Sequence, residues 1–177
     1  MSRLIIHIAP TLKAKMDILS SEYNCEIAGY LLGDIVDGVI YLKDLLIPEQ
    51  AVNSVRAEIS GEEQVKLRQK YGLKKMQQII GLWHSHHTMG ADFSETDEIN
   101  MAKTMEYKDL AVFIVSSNKK HAVRVYTNNP FKHFITGCEL KFHSVNLSLM
   151  KKKVERIFVE NDNTKEEDDD EEDDEDD

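Results

Sequence analysis

The sequence predicts an α/β fold, a mixed β-sheet flanked by helices, from three observations. Apolar runs of strand length recur at 3–8, 25–33, 39–47, 78–86, 110–116 and 121–126. Stretches with helical spacing or caps lie among them, near 10–21, 60–71 and 94–106. The two kinds alternate irregularly and without an internal repeat, which suits a mixed sheet better than a regular parallel one.

Residues 3–8 read as the first strand. Pro10 suits the first turn of a helix, where its missing N–H is not needed. Leu12, Met16 and Leu19 make one apolar face, predicting a helix over 10–21. Residues 25–33 read as a buried strand with a single charge, Glu26. Asp37-Gly38 is a turn signal, and 39–47 supplies the partner strand of a hairpin that Pro48 ends. Ser60 and Glu63 have capping-box spacing for a helix to about Tyr71, with Gly72 interrupting or ending it. Ile79, Ile80, Leu82 and Trp83 make 78–86 a strand; 87–93 form a loop, and Ser94 caps a helix to about Glu106. Strands at 110–116 and 121–126 flank an Asn-Lys-Lys turn, and 134–144 has mixed strand character. Leu147, Met150, Val154, Ile157 and Phe158 trace a helical stripe, read as packed on the domain, with a partner-binding helix as the alternative.

The chain of 177 residues is long enough for one domain with a substantial core. Its net charge of −10 is unevenly placed. Residues 166–177 are twelve consecutive acids, and without them residues 1–165 carry +2. The domain is therefore expected to span 1–160. Residues 161–177 are expected to be a disordered acidic tail, because a self-repelling run buries nothing. The tail reads as a solubilising extension or, alternatively, as a dock for a basic partner such as an unfoldase assembly. Cys25 and Cys138 form no CxxC pair and no disulfide framework. No apolar run is long enough to span a bilayer, and the first one is too short for a signal-peptide core. A cytoplasmic protein with no membrane and no nucleic-acid partner is expected.

The chemistry concentrates in 81–97. His84 and His86, two apart on a strand, point to the same face. Two adjacent imidazoles are a poor structural choice unless something binds them. Asp97 falls in the first turn of the next helix, where it can point back towards the strand end. Two imidazoles and a carboxylate leave a fourth position open for water, the layout of a catalytic zinc site. Hydrolysis there also needs a proton carrier. Glu26, a lone acid among apolar neighbours, is the candidate, since burying it without a role would be costly. Asp97 could instead be only a favourable charge at a helix N-terminus, and Ser94 only a cap. Cys25 could serve as a nucleophile, but it faces away from Glu26 and reads better as a buried thiol.

With Glu26 upstream, His84-x-His86, seven residues to Ser94, and Ser94-x-x-Asp97, the chain resembles the JAMM (MPN+) zinc metalloproteases. The segment Cys-Glu-Ile-Ala-Gly-Tyr-Leu-Leu-Gly is similar to that family's Glu-bearing strand. The resemblance covers about 3–127. It implies a curved sheet in a three-layer architecture like that of cytidine deaminases. It implies zinc on His84, His86 and Asp97, Glu26 as general acid/base, and Ser94 near the developing oxyanion. It implies cleavage after the C-terminal Gly-Gly of ubiquitin or a ubiquitin-like protein, in association with a proteasome or unfoldase assembly. His87 stands where many members carry Pro. The loop 88–93 lacks the Cys and Trp of the eukaryotic proteasome-lid enzyme, and is more similar to archaeal and bacterial relatives.

Residues 50–60 alternate enough to offer a strand edge. Val55, Arg56, Ala57 and Glu58 are expected to take the substrate's tail as an added strand. Met89 and Phe93 flank the site and are expected to touch that tail. The alternatives are processing of a sulfur-carrier-type protein, a non-catalytic MPN scaffold, and an acidic-tailed chaperone or adaptor.

Overall fold

The computed structural model describes residues 4–52, 57–58, 61–87, 89–104, 108–128, 133–135 and 137–142. The expectations for Val55, Arg56, the Ser60 cap, the stripe at 147–158 and the tail lie outside these residues. In chain order the elements are β1 (Ile5–Ile8), α1 (Pro10–Glu22), β2 (Ala28–Val36), β3 (Val39–Leu46), β4 (Ala51–Val52), β5 (Ala57–Glu58), α2 (Gly61–Met76), β6 (Ile79–Ser85), α3 (Glu95–Thr104), β7 (Leu110–Ser117), β8 (Lys120–Thr127), β9 (His133–Ile135) and β10 (Glu139–Phe142).

Eight strands form one sheet in the order β10-β1-β3-β2-β6-β7-β8-β9, while β4 and β5 pair separately. The sheet is mixed: β1 runs parallel to β10 and β3, and β6 parallel to β7, whereas the other neighbours are antiparallel. It is also strongly curled. Five strands separate β8 from β10 in the sheet order, yet the rings of His121 on β8 and Phe142 on β10 lie 5.5 Å apart. The expected mixed curved sheet with flanking helices is thus present.

Strand alternation builds the layers. Leu31 and Leu45 join α1's Leu12, Met16 and Leu19 in one core, while their neighbours Leu32 and Leu46 join Leu67 of α2 in another. Val112 likewise belongs to the α1 side, and Phe113 packs with Met101 of α3. The layers are therefore α1, sheet, and then α2 with α3. Leu12, Met16 and Leu19 are at most 1% exposed; burying each stabilises by about 1.5–3 kcal/mol.

Local signals explain the joints. Asp37 (φ 52°) and Gly38 (φ 77°) are both left-handed, as a two-residue turn between twisted strands requires and Asp-Gly tolerates. Gly72 is non-helical (φ 75°) and divides α2, as its position in the sequence suggested. Among the described residues, no helix is long and apolar enough to cross a membrane.

Candidate functional site

β6 delivers the two histidines. Trp83 packs on the α1 side and Leu82 on the α3 side, so alternation places His84 on the α3 side. His86 lies two residues further on, and its Nε2 is 3.0 Å from that of His84. Asp97 reaches back from the first turn of α3. Its Oδ1 lies 3.0 Å from His84 Nε2 and its Oδ2 lies 3.5 Å from His86 Nε2. One ligand atom from each of the three residues lies within 4.8 Å of the others. Donors in tetrahedral array about one zinc ion, each about 2.0–2.1 Å from it, sit about 3.3–3.4 Å apart. The three ligand atoms lie close enough together to surround one ion, so the donor set fits zinc in number and type.

Neighbouring groups set the protonation of this cluster. His86 Nδ1 lies 3.0 Å from the Gly90 carbonyl. Because that carbonyl can only accept, Nδ1 carries the proton and the Nε2 lone pair is left for the cluster. Burial opposes the charged form of His86, but Asp97 and the Gly90 carbonyl outweigh it and raise its pKa. Burial likewise opposes ionisation of Asp97. The neighbouring imidazoles of His84 and His86 and the Ser94 hydroxyl overcome this and hold its carboxyl far below the usual range. Ser94 and Asp97 form a reciprocal cap: the Ser94 N–H and hydroxyl both donate to Asp97 Oδ2 at 2.7 Å, and the Asp97 N–H donates to Ser94 Oγ at 3.2 Å. The single hydroxyl proton of Ser94 is thus committed to Asp97.

Glu26 is 7% exposed. Burial pushes its pKa up, against an opposing pull from His86 and His84. It precedes β2 and does not lie inside it, as the sequence had suggested. Its neighbour Ile27 turns to a side chain: the Ile27 N–H donates to Ser85 Oγ at 2.9 Å, and the Ser85 N–H donates to the Ile27 carbonyl at 2.8 Å. One residue on, the Gln50 amide accepts from Ala28 N–H at 2.7 Å and donates to the Ala28 carbonyl at 2.9 Å. Ala28 stands opposite His84 in the β2–β6 register. Ser85, the residue between the two histidines, therefore fixes the backbone beside Glu26.

These supporting residues escaped the sequence reading, as did Ser116 and Ser117. Ser116 accepts the Trp83 indole N–H on Oγ at 2.7 Å and the His86 N–H on its carbonyl at 2.8 Å. Ser117 Oγ donates to the Met89 carbonyl at 2.6 Å. A usable signal existed, since these two serines end an otherwise apolar strand.

The remaining expected residues are placed unequally. Met89 is 48% exposed. Phe93 packs on the Met101–Phe113–Tyr126 cluster, with the Arg124 guanidinium 4.7 Å over its ring. Ala57 and Glu58 form β5, paired with β4. His87 is exposed, in keeping with a non-ligand. Burial raises the pKa of Cys25, which disfavours the thiolate a nucleophile needs.

The family of prokaryotic homologs of the JAB domain matches residues 9–129. The fold is similar to the solution structure of a protein from Desulfitobacterium hafniense, with a TM-score of 0.52 and 15% identity. The similarity covers 78% of this chain and 94% of that one. No curated protein matches.

Proposed function

On the premise that the chain belongs to the family of prokaryotic JAB-domain homologs, we propose that it is a JAMM-type zinc isopeptidase or peptidase. Its substrate is the bond after the C-terminal Gly-Gly of a ubiquitin-like protein. The observation that carries this reading is the convergence of His84, His86 and Asp97, with buried Glu26 within their electrostatic reach. Zinc on these ligands would supply a water acidified to a pKa of about 7 and a Lewis acid for the scissile carbonyl.

The protein's own groups have separate tasks. Glu26, with its pKa raised by burial, takes a proton and passes it to the leaving amine. Gly90 fixes the tautomer of His86, and Ser94 orients Asp97. Ser94 can serve a developing oxyanion only by releasing its hydrogen bond to Asp97.

The substrate's tail needs an extended track. Gln50 anchors the start of the β4–β5 hairpin to Ala28, directly opposite His84. This supports strand addition along 55–58 and contact with exposed Met89.

The test is a panel of ubiquitin, ubiquitin-like and sulfur-carrier-type fusions, with metal content measured alongside. About one zinc per chain and chelator-sensitive cleavage of one fusion class are expected. Glu26→Gln should keep the metal and slow cleavage by about 10²–10⁴-fold. Zinc-loaded protein inert towards every fusion would sink the enzymatic reading in favour of a scaffold. Unimpaired turnover by Glu26→Gln would remove the role given to that residue.

A further inference from the structure

α2 carries the densest positive charge of the described fold. Lys66, Arg68, Lys70, Lys74 and Lys75 fall within ten residues, and no acid occurs between Glu63 and Asp92. Leu67 is buried and Tyr71 half-buried, so Lys66 and Lys70 project on one flank of that stripe and Arg68 on the other. Lys66 has a partner in Glu63 at 3.0 Å. Lys70 and Lys75 lie 5.6 and 5.8 Å from the Tyr71 ring centre. Elsewhere in the described fold Lys13, Lys15, Lys43 and Arg124 are each paired with a carboxylate, and Lys108 donates to the Ile79 carbonyl. Lys74 and Lys75 complement the negative end of the helix dipole. That accounts for two of the five cations, and the Glu63 carboxylate engages a third.

The same chain holds the complementary polyanion. Residues 166–177 supply twelve negative charges against a remainder of +2. They follow Phe142, the last described residue, by 24 positions. Twenty-four positions span at most about 80 Å when fully extended. A domain of about 140 residues has a radius of gyration near 14 Å. The acidic run can therefore reach α2 within the same chain.

We propose that residues 166–177 dock intramolecularly on the basic face of α2, closing that face to other anions. The contact is electrostatic and follows ionic strength. It is independent of the zinc site and of the reading given to it.

Zero-length carbodiimide cross-linking of the full-length protein, mapped by mass spectrometry, tests this. At low salt, tail carboxylates should join Lys66, Lys70, Lys74 or Lys75 within one chain. At 1 M salt, where charges are screened beyond about 3 Å, the yield should fall at least about fivefold. Lys70→Glu with Lys74→Glu should reduce the yield at Lys66 and Lys75 to a similar extent, with the circular dichroism spectrum unchanged. Replacing all twelve acids by Asn or Gln in the full-length chain should abolish α2 cross-links. Cross-links that run instead to Lys119 and Lys120, to Lys151–Lys153, or between chains would overturn the proposal, as would none at low salt.

Discussion

Two histidine–aspartate pairs lie on opposite faces of the same sheet, and their distances are identical. His84 Nε2 is 3.0 Å from Asp97 Oδ1, and His121 Nε2 is 3.0 Å from Asp17 Oδ1. What surrounds them differs. On the α1 side, Lys13 donates to Asp17, His121 Nδ1 meets Ser116 Oγ at 2.7 Å, and Ser116 also takes the Trp83 N–H. Every polar atom of that chain has a partner, and Ser116 is fully buried. It has the composition of a catalytic triad with its serine fully buried, and it ties α1 to β6, β7 and β8. On the α3 side, two ring nitrogens face each other at 3.0 Å, with a carboxylate beside them. A His–Asp contact is therefore not what marks a metal site. The mark is two imidazole nitrogens and a carboxylate converging on one point.

The largest expected difference is in metal content. His86→Ala should take zinc from about one per chain to none, whereas His121→Ala should leave it unchanged. Elemental analysis after dialysis decides this, and equal loss in both variants would erase the distinction.

Stability should respond in the opposite order. His121→Ala leaves Asp17 and Ser116 short of a buried partner and should cost about 2–4 kcal/mol in urea denaturation. His84→Ala, compared metal-free, should cost about 1 kcal/mol or less, because its side chain is 22% exposed.

The smallest effect is the pH dependence of the metal-free protein. The raised pKa of His86 stabilises the fold fully below about 6.5, and this contribution is lost as pH rises through the raised value. Glu26, also raised, acts in the same direction. Asp97 is depressed, so its contribution is present above 3.8 and lost only as pH falls well below that. Metal-free stability should therefore decline from pH 6 to pH 8. Zinc should reverse the trend, since its ligands must be deprotonated. The lowered pKa of Asp17 leaves the α1-side pair's carboxylate charged throughout this range. Parallel urea titrations with and without chelator measure both trends, and a rise in metal-free stability from pH 6 to pH 8 would contradict the protonation assigned to His86.

Much of this could be read in the sequence because it is local. The period-two placement of His84 and His86 puts both rings on one face whatever the rest of the chain does. Ser94-x-x-Asp97 caps a helix by short-range geometry, and that cap aims Asp97. Glu26 was visible as an isolated acid. Its backbone was misread as strand, because Ile27 bonds to the Ser85 side chain 58 residues away. The pairing of His121 with Asp17 was illegible for the same reason: 104 residues separate them, and only the docking of α1 against β8 joins them.

The sequence by itself determined the alternation that sorts side chains between two cores, the caps and turns, and the facing of two histidines on one strand. These follow from backbone geometry within a few residues. The tertiary structure alone decided which His–Asp pair is closed by partners and which converges on an open point. Satisfaction of a buried polar atom depends on groups brought in from distant strands and helices, and no local spacing encodes that.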